Sequence, residues 1–196
     1  MKILFATKNK GKYKEVKNIF SDTDIELISL NDFDNAIDVV EDGSTFEENA
    51  LKKAVEIYSQ FKLPVISDDS GLIVEQLKGA PGIHSSRYSG DDATDKKNNI
   101  KLLDELKSFP EPHSAKFVCT AVYIDSKNNI ITNDEINGQI ISQPRGTNGF
   151  GYDPLFLPEG FNKTSAEISP DIKNKISHRA KAFNKLKQIM VDNNII

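Results

Sequence analysis

A short apolar run, Pro64-Val65-Ile66, stops abruptly at two adjacent carboxylates, Asp68 and Asp69, within Ser67-Asp68-Asp69-Ser70-Gly71. The run reads as a brief buried strand. The residues after it tolerate unusual backbone angles and hydrogen-bond locally, so the strand is expected to end here in a turn. Neighbouring carboxylates repel at neutral pH, and a fold that clusters them offsets the charge with a bound cation, basic side chains or a shared proton. Alone, the stretch fits a solvated Asp-Ser-Gly turn as well as a site, so the partners have to be found elsewhere in the chain.

The first candidates stand near the start. Ile3-Leu4-Phe5-Ala6 suits a buried central strand, Thr7-Lys8-Asn9-Lys10-Gly11-Lys12 is a polar loop, and a helix follows with Val16, Ile19 and Phe20 on one face. Strand, loop and helix in succession bring backbone N–H groups, the positive helix end and Lys12 together, which suits phosphate oxygens. The glycine spacing of a P-loop is absent. After a second strand over 25–29, Ser44 with Glu47, or Thr45 with Glu48, forms a capping box that starts another helix. Phe46, Ala50, Ala54, Ile57, Tyr58 and Phe61 repeat along its buried face, and Asn49 and Lys53 lie four apart on another. Glu41, outside the cap, offers a hard oxygen to a metal.

Beyond the paired aspartates, residues 79–90 form a long irregular loop, and 91–106 a helix with Ile100, Leu103 and Leu106 inward. Residues 115–124 are rich in β-formers, Ser126 to Asn129 turn the chain, and two further strands are expected near 130–133 and 135–141. A strand-rich lobe over about 112–145 thus sits within a single domain spanning 1–196. Arg145 to Pro154 is a second glycine-rich loop, in which Phe150 and Tyr152 offer faces for stacking and Asp153 an acceptor. Ser169-Pro170-Asp171 opens a helix, with Lys173, Lys175, His178 and Arg179 after it.

A net charge of −4 argues against non-specific binding to nucleic acid or an anionic membrane surface, so an anionic ligand has to be met locally. No stretch is long and apolar enough to span a bilayer, and MKILFATKNKGK lacks the pattern of a secretory leader. With a single cysteine, Cys119, in an alternating strand, a cytoplasmic setting and a packing role for the thiol are expected.

Loops that follow strands gather at one edge of an α/β sheet, where ligands bind. On that rule Lys12, Glu41, Lys53, Asp68, Asp69, Phe150, Asp153, Lys173, His178 and Arg179 meet in one cleft. Lysines neutralise phosphates, carboxylates hold Mg²⁺, and an aromatic face stacks a base, which together point to a Mg-dependent nucleotide hydrolase. Which base it takes is not readable from these residues.

At these positions the chain resembles the inosine triphosphate pyrophosphatase family. The resemblance runs almost end to end, through Thr7-x-Asn9-x-x-Lys12, Glu41-x-Gly43-x-Thr45-Phe46-x-x-Asn49-Ala50, Asp68-Asp69-Ser70-Gly71-Leu72, Gly79-x-Pro81-Gly82 with Ser85-x-Arg87-Tyr88, Gly149-Phe150-Gly151-Tyr152-Asp153-Pro154 and Ser177-His178-Arg179. It implies an α/β fold with an elongated mixed sheet, flanking helices and two lobes around a central cleft, in a homodimer. It also implies Mg²⁺-dependent hydrolysis of ITP, dITP and XTP to the monophosphate and pyrophosphate, which clears the nucleotide pool of deaminated purines. In such an enzyme Asp69 would be the general base and, with Glu41 and Asp68, a metal-site carboxylate. Thr7, Lys8, Asn9, Lys10, Gly11 and Lys12, with Lys53 and Ser70, would hold the triphosphate. Phe150, Gly151, Tyr152, Asp153, Lys173, His178 and Arg179 would hold base and sugar. Lys8, where relatives often have a small residue, and His84, where they often carry Tyr, depart from the pattern.

Inosine and xanthine present a 6-keto acceptor where adenine presents a donor, so a donating Arg179 or His178 would leave ATP with donor facing donor, at about 1–3 kcal/mol for each buried group left unpaired. Rival readings are a Maf-like nucleotide pyrophosphatase, which the Ser177-His178-Arg179 and Phe150 to Pro154 motifs argue against, and a nucleotide sensor without turnover. A nucleic-acid-binding role fits least.

Overall fold

The computed structural model describes residues 1–196. Its elements follow as β1 (Lys2–Phe5), α1 (Lys10–Ile19), β2 (Glu26–Ser29), α2 (Phe46–Phe61), β3 (Val65–Val74), α3 (Asp95–Leu106), β4 (His113–Ile124), β5 (Asn129–Ile140), β6 (Phe156–Pro158), α4 (Pro170–Ile176) and α5 (His178–Asp192). One mixed six-stranded sheet runs in the order β2-β1-β3-β4-β5-β6, as an α/β fold with flanking helices. β1 is parallel to both β2 and β3, with Leu4 opposite Val65 and Ile28, and β6 closes the far edge antiparallel to β5. Ile3, Leu4 and Phe5 are all fully buried, as a parallel strand covered on both faces requires.

Two compact units make up the chain: Met1–Asp69, Cys119–Asp134 and Arg179–Ile196 in one, and Ser70–Val118 with Glu135–His178 in the other. In the first, one core joins Ile3, Phe5, Val16 and Ile66 to Phe183, Leu186 and Met190, with Phe5 and Phe183 edge to face at 5.6 Å. A second core joins Leu4, Ala50, Ala54 and Ile57 to Val65 and Val122. In the other unit Leu72, Leu102 and Leu106 pack with Phe117, Tyr152 and Phe156.

Three expectations are corrected. β3 does not end before the aspartates but continues through them to Val74. The strand tolerates them because cations and an amide meet their carboxylates inside the first unit. Residues 129–140 form one strand rather than two, because Asn133 and Asp134 bind Lys185 of α5 and do not turn the chain. Ile100 is 51% exposed, while Asn98, Leu102 and Leu106, four apart, take the inward face of α3. The carboxamide of Asn98 accepts from Ser89 N–H at 2.8 Å and donates to the Ser86 carbonyl at 3.1 Å, which satisfies a polar group at that buried position.

Candidate active site

In the first unit the polar loop after β1 is a cap. Asn9 accepts from the N–H groups of Gly11 and Lys12 at 2.8 and 3.1 Å and so starts α1, while Thr7 Oγ1 accepts from Asn9 N–H at 3.1 Å. Two of the amides expected to face phosphate are thereby bound by Asn9. Lys8 pairs with Asp38 at the surface, Lys10 is exposed, and half-buried Lys12 turns inward to Asp68 at 3.1 Å.

Asp68 lies at the centre of a buried charge network. The Arg179 Nε donates to its carboxylate at 3.2 Å, Arg179 Nη1 donates to Glu15 at 2.7 Å, and the Cys119 thiol lies 3.9 Å away. Its side chain is 1% exposed and that of Arg179 is 3% exposed. Burial pushes the Asp68 carboxyl up, but Lys12 and Arg179, with Lys53 further off, outweigh it and hold the group well below the ordinary carboxylate range. Burial and the Asp68 charge push the Cys119 thiol up, so it stays protonated.

Asp69, the next residue, is shifted the other way. Burial raises its carboxyl, Lys53 and Lys12 pull it down, and the nearby Glu41 charge adds to the rise. Asn49 donates to its Oδ2 at 3.1 Å, and Lys53, one turn on along α2, is paired with Glu41. No group of three or more His, Cys, Asp or Glu side chains is arranged to hold a metal ion. With Asp68 bound by two cations, Glu41 and Asp69 are the two candidate carboxylate donors. That set fits Mg²⁺, which is typically bound through one or two carboxylates together with substrate phosphates and water.

The second unit carries Ser70, Phe150, Gly151, Tyr152, Asp153, Lys173 and His178. Asp153 accepts from Lys173 Nζ at 2.6 Å and from Phe150 N–H at 2.9 Å, and the Lys173 ammonium lies 5.2 Å from the centre of the half-buried Phe150 ring. Gly149 has φ +78°, and a Cβ there would run into the Asp153 carboxylate. Gly151 accepts from Asn99 and donates to Asp95, which ties the loop to α3. Ser70 is half-buried in β3. Tyr152 is 4% exposed, its ring lies in the core and its hydroxyl donates to the Ser85 carbonyl at 2.8 Å. His178 stacks on Phe117 with ring centres 4.8 Å apart and planes 12° from parallel.

A sequence model of the Ham1 family matches residues 3–189. The chain belongs to the Ham1 family. Among relatives, it is 50% identical to the dITP/XTP pyrophosphatase of Geobacillus kaustophilus, over 94% of this chain and 91% of that one. It is 46% identical to the dITP/XTP pyrophosphatase of Geobacter sulfurreducens, over 95% and 94% of the two chains. The solved HAM1 protein of Coxiella burnetii superposes with a TM-score of 0.89 at 37% identity, over 98% of this chain and 99% of that one.

Within this Ham1 chain, four side chains at the two groups were given no site role from the sequence, although Asn49 and Cys119 were named there. Glu15 holds Arg179, and its signal was the three-residue step from Lys12 on α1. Asn49 had the four-residue step to Lys53. Phe117 and Cys119 look like any other strand residue, and no local signal marks them.

Proposed function

We propose that the chain hydrolyses the triphosphates of deaminated purines, dITP, XTP and ITP, to the nucleoside monophosphate and pyrophosphate. The observation that carries the reading is that two consecutive buried carboxylates have different partners, Asp68 between Lys12 and Arg179 and Asp69 on the Asn49 amide, in a Ham1 chain whose relatives are named dITP/XTP pyrophosphatases. Asp68 is a permanent anion that organises Lys12 and Arg179. Asp69 has a raised proton affinity, which suits a group that accepts a proton from water. Lys12 and Lys53 supply positive charge to the polyphosphate. A divalent cation, held by Glu41 and Asp69, would supply charge neutralisation on the phosphates when bound.

The groups of the second unit have the chemistry of a base site. Phe150 offers an aromatic face, Lys173 a donor set by Asp153, and His178 a ring held by Phe117. A 6-keto oxygen accepts from such donors and a 6-amino group does not. Each mismatch costs on the order of 1–3 kcal/mol, about 5- to 150-fold. The family resemblance supports Mg²⁺ dependence and a homodimer. Net charge −4 supports the lack of a nucleic-acid partner, and the free, buried Cys119 supports a cytoplasmic location. No helix is long and apolar enough to cross a membrane.

Phosphorus NMR of ITP incubated with the protein tests the reading. IMP and pyrophosphate with Mg²⁺, and unchanged ITP with EDTA, are expected. Inosine diphosphate and inorganic phosphate as the products would refute it.

A further inference from the structure

Asn49 is fully buried in the first turn of α2, an unusual place for a carboxamide unless both its ends are used. Both are. Its Oδ1 accepts from the Gly43 N–H at 2.8 Å, and its Nδ2 donates to Asp69 Oδ2 at 3.1 Å. The polarity of the amide is settled by these partners, since a backbone N–H can only donate and an ionised carboxylate can only accept.

Gly43 supplies a second, independent observation. A Cβ at this position would lie 2.8 Å from Asn49 Oδ1 and 2.8 Å from Glu48 Cβ. The glycine therefore answers to the close approach of its backbone to the amide and not to a left-handed turn. Two residues before it, Glu41 is paired with Lys53, which lies four residues after Asn49 on α2. The acidic segment is thus held to α2 at three points, by its backbone on Asn49 and by the carboxylates of Glu41 and Asp42 on Lys53 and Lys52.

We propose that Asn49 is a positioning residue: one carboxamide sets the orientation of Asp69 and the height of the Glu41–Gly43 segment together, so that the two carboxylates are presented to the polyphosphate in a preset geometry. The inference rests on the hydrolase reading above. No substitute of similar size keeps both bonds: aspartate would set acceptor against acceptor at Asp69, and leucine would leave the Gly43 N–H and the Asp69 oxygen unmet. Residues that orient an acting carboxylate typically carry 10- to 100-fold of activity.

The test compares native protein, Asn49→Ala, Gly43→Ala and the double variant. In pyrophosphate release from ITP, Asn49→Ala should lower kcat by about 10- to 100-fold with KM within about threefold, since Asn49 shapes the acids and not the base site. Hydrogen exchange, read by NMR without nucleotide, should quicken at the Gly43 amide by about 2- to 10-fold in Asn49→Ala, while amides in the middle of α2 keep their protection. Gly43→Ala keeps Asn49 but crowds its amide and Glu48 from the loop side, and should reproduce the kcat loss. The double variant should be no worse than the poorer single one, because both break one link. Should Asn49→Ala fail to fold, Gly43→Ala decides alone. Native kcat in Gly43→Ala, a loss carried by KM, or additive losses would overturn the inference. A native protein that releases no pyrophosphate fails the hydrolase reading instead, and with it this inference, and is recognised before any variant is made.

Discussion

Replacing Asp68 by asparagine should destabilise the protein, and the same change at the next residue should not. Asp68 has a side chain 1% exposed and faces Lys12 at 3.1 Å and Arg179 at 3.2 Å, with the Arg179 side chain itself 3% exposed. Asparagine keeps the shape and one acceptor oxygen but removes the charge, so a buried guanidinium is left with Glu15 as its main anion. Breaking a buried pair by removing one partner costs about 3–5 kcal/mol. A chain of 196 residues unfolds with an entropy of about 0.4 kcal/mol per kelvin, so the midpoint should fall by about 7–12 °C. Asp69→Asn should leave the midpoint unchanged or raise it, because burial already disfavours the charge it removes and the Asn49 donor still finds an oxygen.

The pH dependence gives the sharper test. A carboxyl whose folded value is depressed contributes stability that is fully present above its unfolded value, about 3.9, and is lost as pH falls through the lowered folded value. The gap between native protein and Asp68→Asn should therefore stay constant from pH 8 down to about pH 4 and close only below that. Scanning calorimetry in EDTA at a series of pH values reads it directly. A gap under about 1 kcal/mol at pH 7, or one that closes by pH 6, would refute the buried-network argument.

Three further outcomes follow from the same geometry. Because burial raises the proton affinity of Asp69, its carboxyl should titrate above the ordinary carboxylate value of 3.8 in metal-free protein, read by carbon NMR in EDTA, and titration at or below that value would contradict it. Arg179→Lys should cost about 2–3 kcal/mol in denaturant unfolding, since a single ammonium cannot reproduce separate contacts to Asp68 and Glu15; a loss under about 0.5 kcal/mol would show that one contact suffices. Gly149→Ala should cost at least about 1 kcal/mol for the φ of +78° and dislodge Asp153 from Lys173, raising KM for ITP; an unchanged KM would separate that pair from the base.

Local chemistry was legible where it was self-contained. The cap at Thr45, the proline start of α4 after Ser169 and the apolar face of α2 each depend on residues within one turn. What escaped depends on distant partners. Two adjacent aspartates read as a strand end, because nothing in residues 64–71 reveals that Lys12, Arg179 and Asn49 meet them. Residues 130–133 and 135–141 read as two strands, because no local window shows that Lys185, about fifty residues on, holds Asn133 and Asp134. Ile100 reads as core because a helical period cannot announce that Asn98 is satisfied by the carbonyls of Ser85 and Ser86. Arg179 was expected on the base and sugar. In the structure its guanidinium holds Asp68 and Glu15, a pairing across 164 residues of sequence that no local window contains.

The central claim is that Asp69 accepts a proton in the hydrolysis of the triphosphates of deaminated purines, dITP, XTP and ITP. Pyrophosphate release from ITP, XTP, GTP and ATP, with Mg²⁺ and with EDTA, for native protein and Asp69→Asn, tests it most directly. Mg²⁺-dependent release from ITP and XTP, little from GTP and ATP, and loss of activity in a well-folded Asp69→Asn are predicted. Native turnover by Asp69→Asn, or no turnover of any triphosphate by folded native protein, would contradict the account.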